Sequence, residues 1–278
     1  MTQAQKIIKY CAIAFAILLI VSIFSGIVGV VSSIASAFRK GSDIVGENVT
    51  HELSDLESVK NLEISIGAAA LEIKNGEAFS LESNHKYLNV KVKNGTLVIE
   101  DATPSFLKNR EGAHVILTVP SGFFFDRAEI ETGAGNLTVE SLCTEKLRMD
   151  LGAGETVFED LRVTKQAKIE TGFGKVSVLG GSVAGLEFGV GVGDVFLTFE
   201  LTEDSEFECG IGNAEIVLLG SKENYTVSVE TGIGSATVDG KSVSNDEEVG
   251  NGAVSLEIQG GIGNIQIAFA EREQQGGF

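Results

Sequence analysis

The apolar residues in the second half of the chain repeat a short phrase: an apolar residue, two spacers, Gly-x-Gly, and then two positions that are mostly apolar. Residues 130–139 are a clear copy. We call the first glycine of each copy g; positions g−3 and g+6 are apolar in every regular copy, and g+2 is always glycine. The g residues of the regular copies are Gly133, Gly152, Gly172, Gly191, Gly210, Gly232 and Gly261. Their spacing of 19 to 22 residues, with a last gap of 29, predicts a repeat architecture.

The parity of the apolar positions changes within each copy. Positions g−3 and g+1 share one face of an extended strand, whereas g+4 and g+6 share the other parity. A strand cannot keep one face inward across such a change unless a bulge or a corner intervenes. The glycine at g+2 is followed by a polar residue, which is typical of a corner with left-handed backbone angles. Each copy is therefore predicted to be a strand, a corner and a second strand.

A single pair of strands cannot bury its own apolar face, but stacked coils can. We therefore predict an all-β fold, a β-solenoid of about 20-residue coils over residues 59–270. An antiparallel β-sandwich made of hairpins is the alternative. A degenerate copy around Gly67 carries Ala69 in place of the second glycine. The irregular region 60–127 and the polar tail 271–278 are expected to cap the ends, and the stretch within the long last gap is expected to be a surface loop.

The N-terminal segment is of a different kind. From Tyr10 to Phe38 it contains no charged residue, and basic residues lie on both sides. A helix needs about 20 apolar residues to cross a bilayer, so we predict one N-terminal transmembrane helix within residues 1–40, with the N-terminus in the cytoplasm. A cleaved signal peptide with an A-x-A-like site at residues 35–37 is the alternative. Residues 41–58 are expected to be a polar tether.

The charge of the chain is strongly negative, with a formal net charge of −18. Residues 1–40 hold four basic and no acidic residues, which leaves 39 acidic and 17 basic residues, a net charge of −22, for the rest. A surface this acidic repels phosphate backbones, so nucleic acid is excluded as a partner.

The sequence predicts no catalytic, cofactor-binding or metal-binding residues. The Gly-x-Gly phrase lacks the third glycine and the following helix of a dinucleotide site. The histidines, His51, His85 and His114, have no metal-ligand spacing. Cys143 and Cys209 are the candidate disulfide pair of the repeats, and the sequence leaves their pairing open.

Three acidic residues at g−2 are the closest approach to a catalytic pattern. Glu131, Asp150 and Glu170 are expected to point outward and to stack along one face. They form either a solvated acidic strip or the carboxylate pair of a polysaccharide-cleaving enzyme.

Four stretches of the chain resemble a known family. Residues 62–67, residues 94–99, residues 119–135 and the later Gly-x-Gly copies are similar to the bacterial "putative adhesin" family of β-strand-repeat envelope proteins, a domain of unknown function. The similarity covers about residues 50–270. It implies an extracytoplasmic β-solenoid, often membrane-anchored, and it supplies no catalytic residues.

Together these features predict a membrane-anchored extracellular β-repeat protein without enzymatic activity. We expect a single-pass protein of the cell membrane whose repeat domain lies outside the cytoplasm. It would act as a binding, adhesion or structural module of the bacterial cell envelope, with an envelope protein or a glycan as partner. The alternative is an envelope-stress sensor or regulatory scaffold.

Overall fold

A computed structural model describes residues 44–53, 56–104, 112–245 and 247–271. The predicted transmembrane helix and most of the polar tail lie outside these ranges. The described part of the chain contains no helix with the length and apolarity that a membrane span needs. Its strands are β1 (Val45–His51), β2 (Asn61–Ala68), β3 (Ala70–Gly76), β4 (Ser80–His85), β5 (Leu88–Lys93), β6 (Thr96–Asp101), β7 (His114–Pro120), β8 (Phe124–Ala134), β9 (Leu137–Val178), β10 (Gly181–Val183), β11 (Leu186–Val192), β12 (Val195–Leu201), β13 (Ser205–Ile211), β14 (Ala214–Leu219), β15 (Tyr225–Val238), β16 (Lys241–Val243), β17 (Glu248–Gly250) and β18 (Val254–Ala270). Two 3-10 helices are Leu56–Ser58 and Lys222–Asn224. The predicted all-β class is confirmed.

Neighbouring copies of the repeat pair as parallel strands at equivalent positions. β11 pairs with β13 so that Phe188 lies opposite Phe207 and Val192 opposite Ile211. β12 and β14 continue the same pairing after the corner. Stacked coils require this parallel pairing, whereas a sandwich of antiparallel hairpins does not have it.

The stacking order differs from the chain order at both ends. β18 pairs with β13 on one side and with β15 on the other, so the Gly261 coil lies between the Gly210 and Gly232 coils. At the other end, β2 pairs with both β6 and β8, so the Gly67 coil is also inserted between two later segments. The long last gap in the repeat is the chain that turns back to make the C-terminal insertion.

Antiparallel strands close both ends of the stack. At the N-terminal end β5 covers β6, and β4 covers β7. The turn at Asn94-Gly95, with φ of 52° and 76°, joins β5 to β6. At the C-terminal end β16 and β17 both pair with β15. The prediction that this stretch is a plain surface loop is wrong, because its two short strands cover the last coil.

Strand β1 lies inside the stretch predicted to be a tether. It pairs with β4, with Val49 opposite Ser83. Ile44, just before β1, is fully buried. A strand of the folded domain therefore lies within the stretch that was predicted to be a tether. The pattern of residues does not predict this strand, because β1 has four exposed residues in a row and a buried apolar position does not alternate with them.

The core is built from four columns of side chains. Positions g−5, g−3, g+4 and g+6 are buried in all the coils with a g glycine, including the Gly67 coil. Phe188 and Phe207 at g−3 stack with ring centroids 5.4 Å apart. Position g+1 differs from the prediction that it shares the inner face with g−3, because Ile233 is 65% exposed and Ile262 37% exposed. The chain turns at the glycines, so the residue between them lies at the corner.

Candidate functional site

The corner glycines hold the candidate surface in place. At g+2 the φ angles run from +137° to +159° in the seven regular copies, a range that favours glycine. A Cβ atom at Gly174 would lie 1.8 Å from the carbonyl oxygen of Gly154 in the next coil. A Cβ atom at Gly133 would lie 2.2 Å from the carbonyl oxygen of Gly67, although its φ is ordinary. The glycine at g+2 is thus required by backbone angle and by space, and the glycine at g by space alone.

A polar ladder runs along one side of the corner, at g+3. The Asn213 backbone N–H donates to Asp194 Oδ1 at 3.0 Å, and the Asn264 N–H donates to Asn213 Oδ1 at 3.2 Å. The Ser235 hydroxyl donates to Asn264 Oδ1 at 2.8 Å. These bonds tie four successive coils together and satisfy corner N–H groups that point to the surface.

The three predicted acids run along the other side of the corner, at g−2. Glu131 lies opposite Asp150, as predicted. Arg148 Nη2 lies 2.9 Å from Asp150 Oδ2, and Lys168 Nζ lies 2.9 Å from Glu170 Oε1. The hydrogen bond and the charge of Lys168 lower the pKa of Glu170. The acids therefore belong to a mixed-charge strip on the surface.

This pairing bears on the hypothesis of a polysaccharide-cleaving enzyme. Glycoside hydrolysis needs one carboxylic acid that stays protonated because its pKa is raised. The pKa of Glu170 moves in the opposite direction, and the carboxylate of Asp150 contacts Arg148. Glu170 is therefore not the raised-pKa acid that such a reaction requires.

A shallow groove crosses four coils beside these acids. Its volume is about 580 Å³, and it is lined by positions g−2, g−1 and g of the Gly67, Gly133, Gly152 and Gly172 coils. In the first three of these coils the g+1 residue is alanine: Ala68, Ala134 and Ala153. We call these four coils the groove half of the stack.

The next four coils present a different corner. Their g+1 residues are Val192, Ile211, Ile262 and Ile233, which lie opposite one another in successive strands and which we call the apolar ridge. We call the Gly191, Gly210, Gly261 and Gly232 coils the ridge half. Counted from g−6 to g+7, the groove half holds nine acidic and six basic residues, whereas the ridge half holds nine acidic and no basic residues.

A second groove lies at the start of the first strands, away from the corner. It has a volume of about 420 Å³ and is lined by two lysines, Lys146 and Lys165, and by several acids, among them Glu203 and Asp204. A hydrogen bond from the Ser255 N–H lowers the pKa of Asp204. The mixed charges of this groove do not select a ligand.

A buried histidine–aspartate pair that sequence reasoning missed lies at the N-terminal end. His85 Nε2 is 3.4 Å from Asp101 Oδ1, and its Nδ1 accepts a hydrogen bond from the Tyr87 N–H. Asp101 also accepts from the N–H groups of Thr103 and Gly67. Burial raises the pKa of Asp101, but the hydrogen bonds from His85 and Thr103 outweigh it, so the pKa lies well below its usual range.

The pair is close to a buried serine but does not form a catalytic triad. The Ser83 hydroxyl donates to the carbonyl oxygen of His114 at 2.7 Å, whereas a nucleophilic serine donates to the histidine. Ser83 and His85 are both buried, which leaves a substrate no access. Among the described residues, no three His, Cys, Asp or Glu side chains converge as metal ligands.

The two cysteines of the repeats do not form a disulfide in the described part of the chain. Within the part of the chain that the structure describes, Cys143 and Cys209 are free thiols. Burial raises the pKa of Cys209, so its reactive thiolate is disfavoured at neutral pH. This residue acts as a small apolar member of the g−1 column.

The chain is similar to several solved structures from Bacteroides and Parabacteroides. A protein from Bacteroides fragilis, described as a putative adhesin, aligns over 80% of this chain and 96% of its own, with 14% identity and a TM-score of 0.53. A putative adhesin from Parabacteroides merdae aligns over 81% and 97%, with 12% identity and a TM-score of 0.43. A putative lipid binding protein from Parabacteroides distasonis aligns over 79% and 96%, with 13% identity and a TM-score of 0.42. At these identities, the first supports the fold alone.

The family is established by sequence. No curated protein matches this chain. The family described as Toastrack DUF4097 matches residues 82–268, more than half of the chain, which confirms the resemblance seen in the sequence. This protein belongs to the Toastrack DUF4097 family.

Proposed function

We propose that this protein is a non-catalytic binding module that is anchored in the cell membrane and extends outside the cytoplasm. The observation that carries the proposal is the corner surface. Its backbone is fixed by glycines in every regular copy, while the residue between the glycines changes from alanine to valine and isoleucine along the stack. A constant frame with a variable exposed column is suited to recognising an extended partner.

The description of several similar structures as putative adhesins supports a binding role. The carboxylates of the groove half are engaged with Arg148 and Lys168, which favours contact over acid–base chemistry. An unidentified envelope protein or glycan is the partner that we propose.

The proposed anchor sets the orientation of the module. Residues 10–38 are uncharged, and Ile44 is already buried in the core of the stack. Nothing longer than a few residues separates the two, so the N-terminal end of the stack would lie next to the membrane. The eight coils that carry a g glycine, at about 4.8 Å each, give the stack a length of roughly 40 Å. The ridge half would then lie farthest from the bilayer.

A protease-access experiment tests this location. The full-length protein, with an epitope tag on its C-terminus, is expressed in its own host, and intact cells are treated with protease. We expect the tag to be removed from intact cells, while a tagged cytoplasmic protein stays protected until lysis. If the C-terminal tag is protected in intact cells and digested only after lysis, the repeat domain lies inside the cytoplasm, which would contradict the proposed function.

A retention experiment tests binding. The full-length chain, immobilised in lipid nanodiscs, is exposed to purified cell-wall glycan and to solubilised surface proteins. We expect retention above that of an unrelated β-repeat protein of similar net charge. Equal retention by both proteins would remove the support for a specific binding role.

A further inference from the structure

The apolar ridge is a continuous row of side chains at the corner, with fixed spacing. Ile211 lies opposite Val192 on one side and Ile262 on the other, and Ile233 lies opposite Ile262. Exposure of these side chains increases toward the C-terminal end, to 37% at Ile262 and 65% at Ile233. Val192 and Ile211 are half-buried, whereas Ile262 and Ile233 are exposed. An aligned row of β-branched residues that reaches the surface in this way is typical of a contact site.

Acidic residues flank the ridge on both sides. Glu208 and Glu230 occupy g−2 beside it, Glu257 lies one column farther out, and Asp194 heads the polar ladder on the opposite side. All four are exposed. The ridge half contains no basic residue from g−6 to g+7, unlike the groove half, where Arg148 and Lys168 pair with the acids. The ridge is thus a row of apolar side chains flanked by acidic residues. No basic residue from g−6 to g+7 of these coils balances that negative charge.

We propose that the apolar ridge docks a basic amphipathic helix of a partner protein. The apolar face of the helix would lie along Val192, Ile211, Ile262 and Ile233, and its lysine or arginine side chains would face the flanking acids. The inference rests on the proposed binding function and names the chemistry of the partner.

The dimensions of a helix match those of the ridge. Successive ridge residues are one strand apart, about 4.8 Å, and a helix repeats its apolar face every turn, about 5.4 Å. Three steps along the ridge span about 14 Å, which corresponds to about ten helical residues. A helix lying across the strands can therefore offer one apolar side chain to each coil, as in other helix-docking surfaces.

Charge argues for this partner over two others. The ridge half holds nine acidic residues and no basic residue from g−6 to g+7, so it would repel an anionic bilayer. Two of the nine, Glu187 and Asp239, have lysine partners from outside these stretches. A second copy of the ridge half would bring the same nine acidic residues against their equivalents, and like charges across an interface disfavour association. A basic segment gains both the burial of the ridge and the attraction of the acids.

The test uses the full-length protein in zwitterionic lipid nanodiscs, with empty nanodiscs as background. The probe is a fluorescent peptide of about 14 residues, long enough to span the ridge, with leucines on one helical face and lysines on the rest. A peptide of the same composition, scrambled so that the leucines are spread around the helix, is its control. The protein variant is Ile233→Ser with Ile262→Ser, and the matched control is Val49→Ser, because Val49 is 53% exposed at the other end of the stack.

We expect the amphipathic peptide to bind more tightly than the scrambled one and binding to weaken in about 1 M salt, where charges are screened. The double variant should lose about tenfold in affinity, and Val49→Ser should change nothing. Unchanged binding by the double variant, at an unchanged melting temperature, would overturn the proposal. So would equal binding of both peptides. If the protein binds no peptide but self-associates, and the double variant abolishes that self-association, the ridge is an interface with a second copy and the proposal is wrong. Each of these failures leaves the protease-access result standing, so the two proposals fail separately.

Discussion

The groove half and the ridge half share one backbone but present opposite surfaces. In both halves the g+2 glycine has a positive φ and no room for a side chain, as at Gly154 and at Gly212. In the groove half, alanine fills most corners, and basic residues neutralise two thirds of the acids. In the ridge half, larger aliphatic residues line the corner and no basic residue lies between g−6 and g+7.

The difference separates what the repeat must keep from what it can change. The glycines are fixed because each coil lies against the backbone of the next. The residue between them is unconstrained by the stack: the same position accepts Ala153, Phe173 and Ile262. Within each Gly-x-Gly phrase, the two glycines are therefore fixed by the stack, and the residue between them is free to vary at the surface.

The largest expected effect is the loss of a g+2 glycine in either half. In Gly174→Val and Gly212→Val the new Cβ atom would lie 1.8 Å from the carbonyl oxygen of Gly154 and of Gly193, respectively. A β-branched residue also resists φ values of +137° and +147°. We expect each variant to lower the free energy of unfolding by about 3 kcal/mol, as measured by denaturant titration.

Gly240→Ala is the control for this experiment. Gly240 has a φ of +72°, but nothing lies within 4 Å of the Cβ position. Its substitution should cost about 1 kcal/mol from backbone angle alone. If Gly174→Val costs no more than Gly240→Ala, close stacking of the coils is not what fixes the glycines.

The two halves end differently, and acid should distinguish them. Beside the groove half, the buried carboxylate of Asp101 accepts a hydrogen bond from the Gly67 N–H. Beside the ridge half, the neutral side-chain amide of Asn245 accepts a hydrogen bond from the Thr231 N–H and donates one to the Thr231 carbonyl oxygen. Because the pKa of folded Asp101 lies below its usual value, its stabilisation is complete above about pH 4 and is lost as the pH falls further.

We expect Asp101→Asn to lower the free energy of unfolding by about 2 kcal/mol at neutral pH. The variant should also lose part of the stability decline that the natural protein shows below about pH 4. Asn245→Ala should cost about 1 kcal/mol and leave the pH dependence unchanged. Urea midpoints measured from neutral pH down to about pH 3 give both results. Parallel pH curves for Asp101→Asn and the natural protein would contradict the role of the carboxylate.

A smaller effect concerns the paired acids of the groove half. Lys168→Met removes the hydrogen bond and the charge that lower the pKa of Glu170. We expect the pKa of Glu170 to rise toward its ordinary value and the melting temperature to change little, because exposed ion pairs contribute little to stability. A carboxylate titration by NMR measures the pKa. A pKa that stays low would show that Lys168 is not its cause.

Much of the fold could be predicted because the repeat constrains every coil in the same way. The buried columns at g−3, g+4 and g+6, the corner at g+2 and the outward Glu131, Asp150 and Glu170 all follow from the parity of one phrase. The stacking order could not be predicted, because equivalent copies have compatible faces and the spacing does not say which will be neighbours. The 29-residue gap before Gly261 was the available sign of the insertion.

The candidate surface was predictable only in part. The g+1 residues were identified as a column, but their exposure depends on how sharply the chain turns at the glycines. The pairing of His85 with Asp101 joins segments from β4 and β6. It could not be predicted, because β4 is an antiparallel capping strand that lies outside the repeat pattern. The strand β1 was missed because an edge strand with exposed polar side chains looks like a tether.

Two adjacent residues test the separation of frame and surface most directly. Gly263 has a φ of +145°, and its Cβ position is 1.7 Å from the carbonyl oxygen of Gly212, whereas the neighbouring Ile262 is a ridge residue. Denaturant unfolding of Gly263→Ala should show a loss of about 3 kcal/mol, and that of Ile262→Ser a loss of about 1 kcal/mol or less. Equal losses in the two variants, or a larger loss in Ile262→Ser, would contradict the conclusion that the glycines carry the fold and the residue between them is free for recognition.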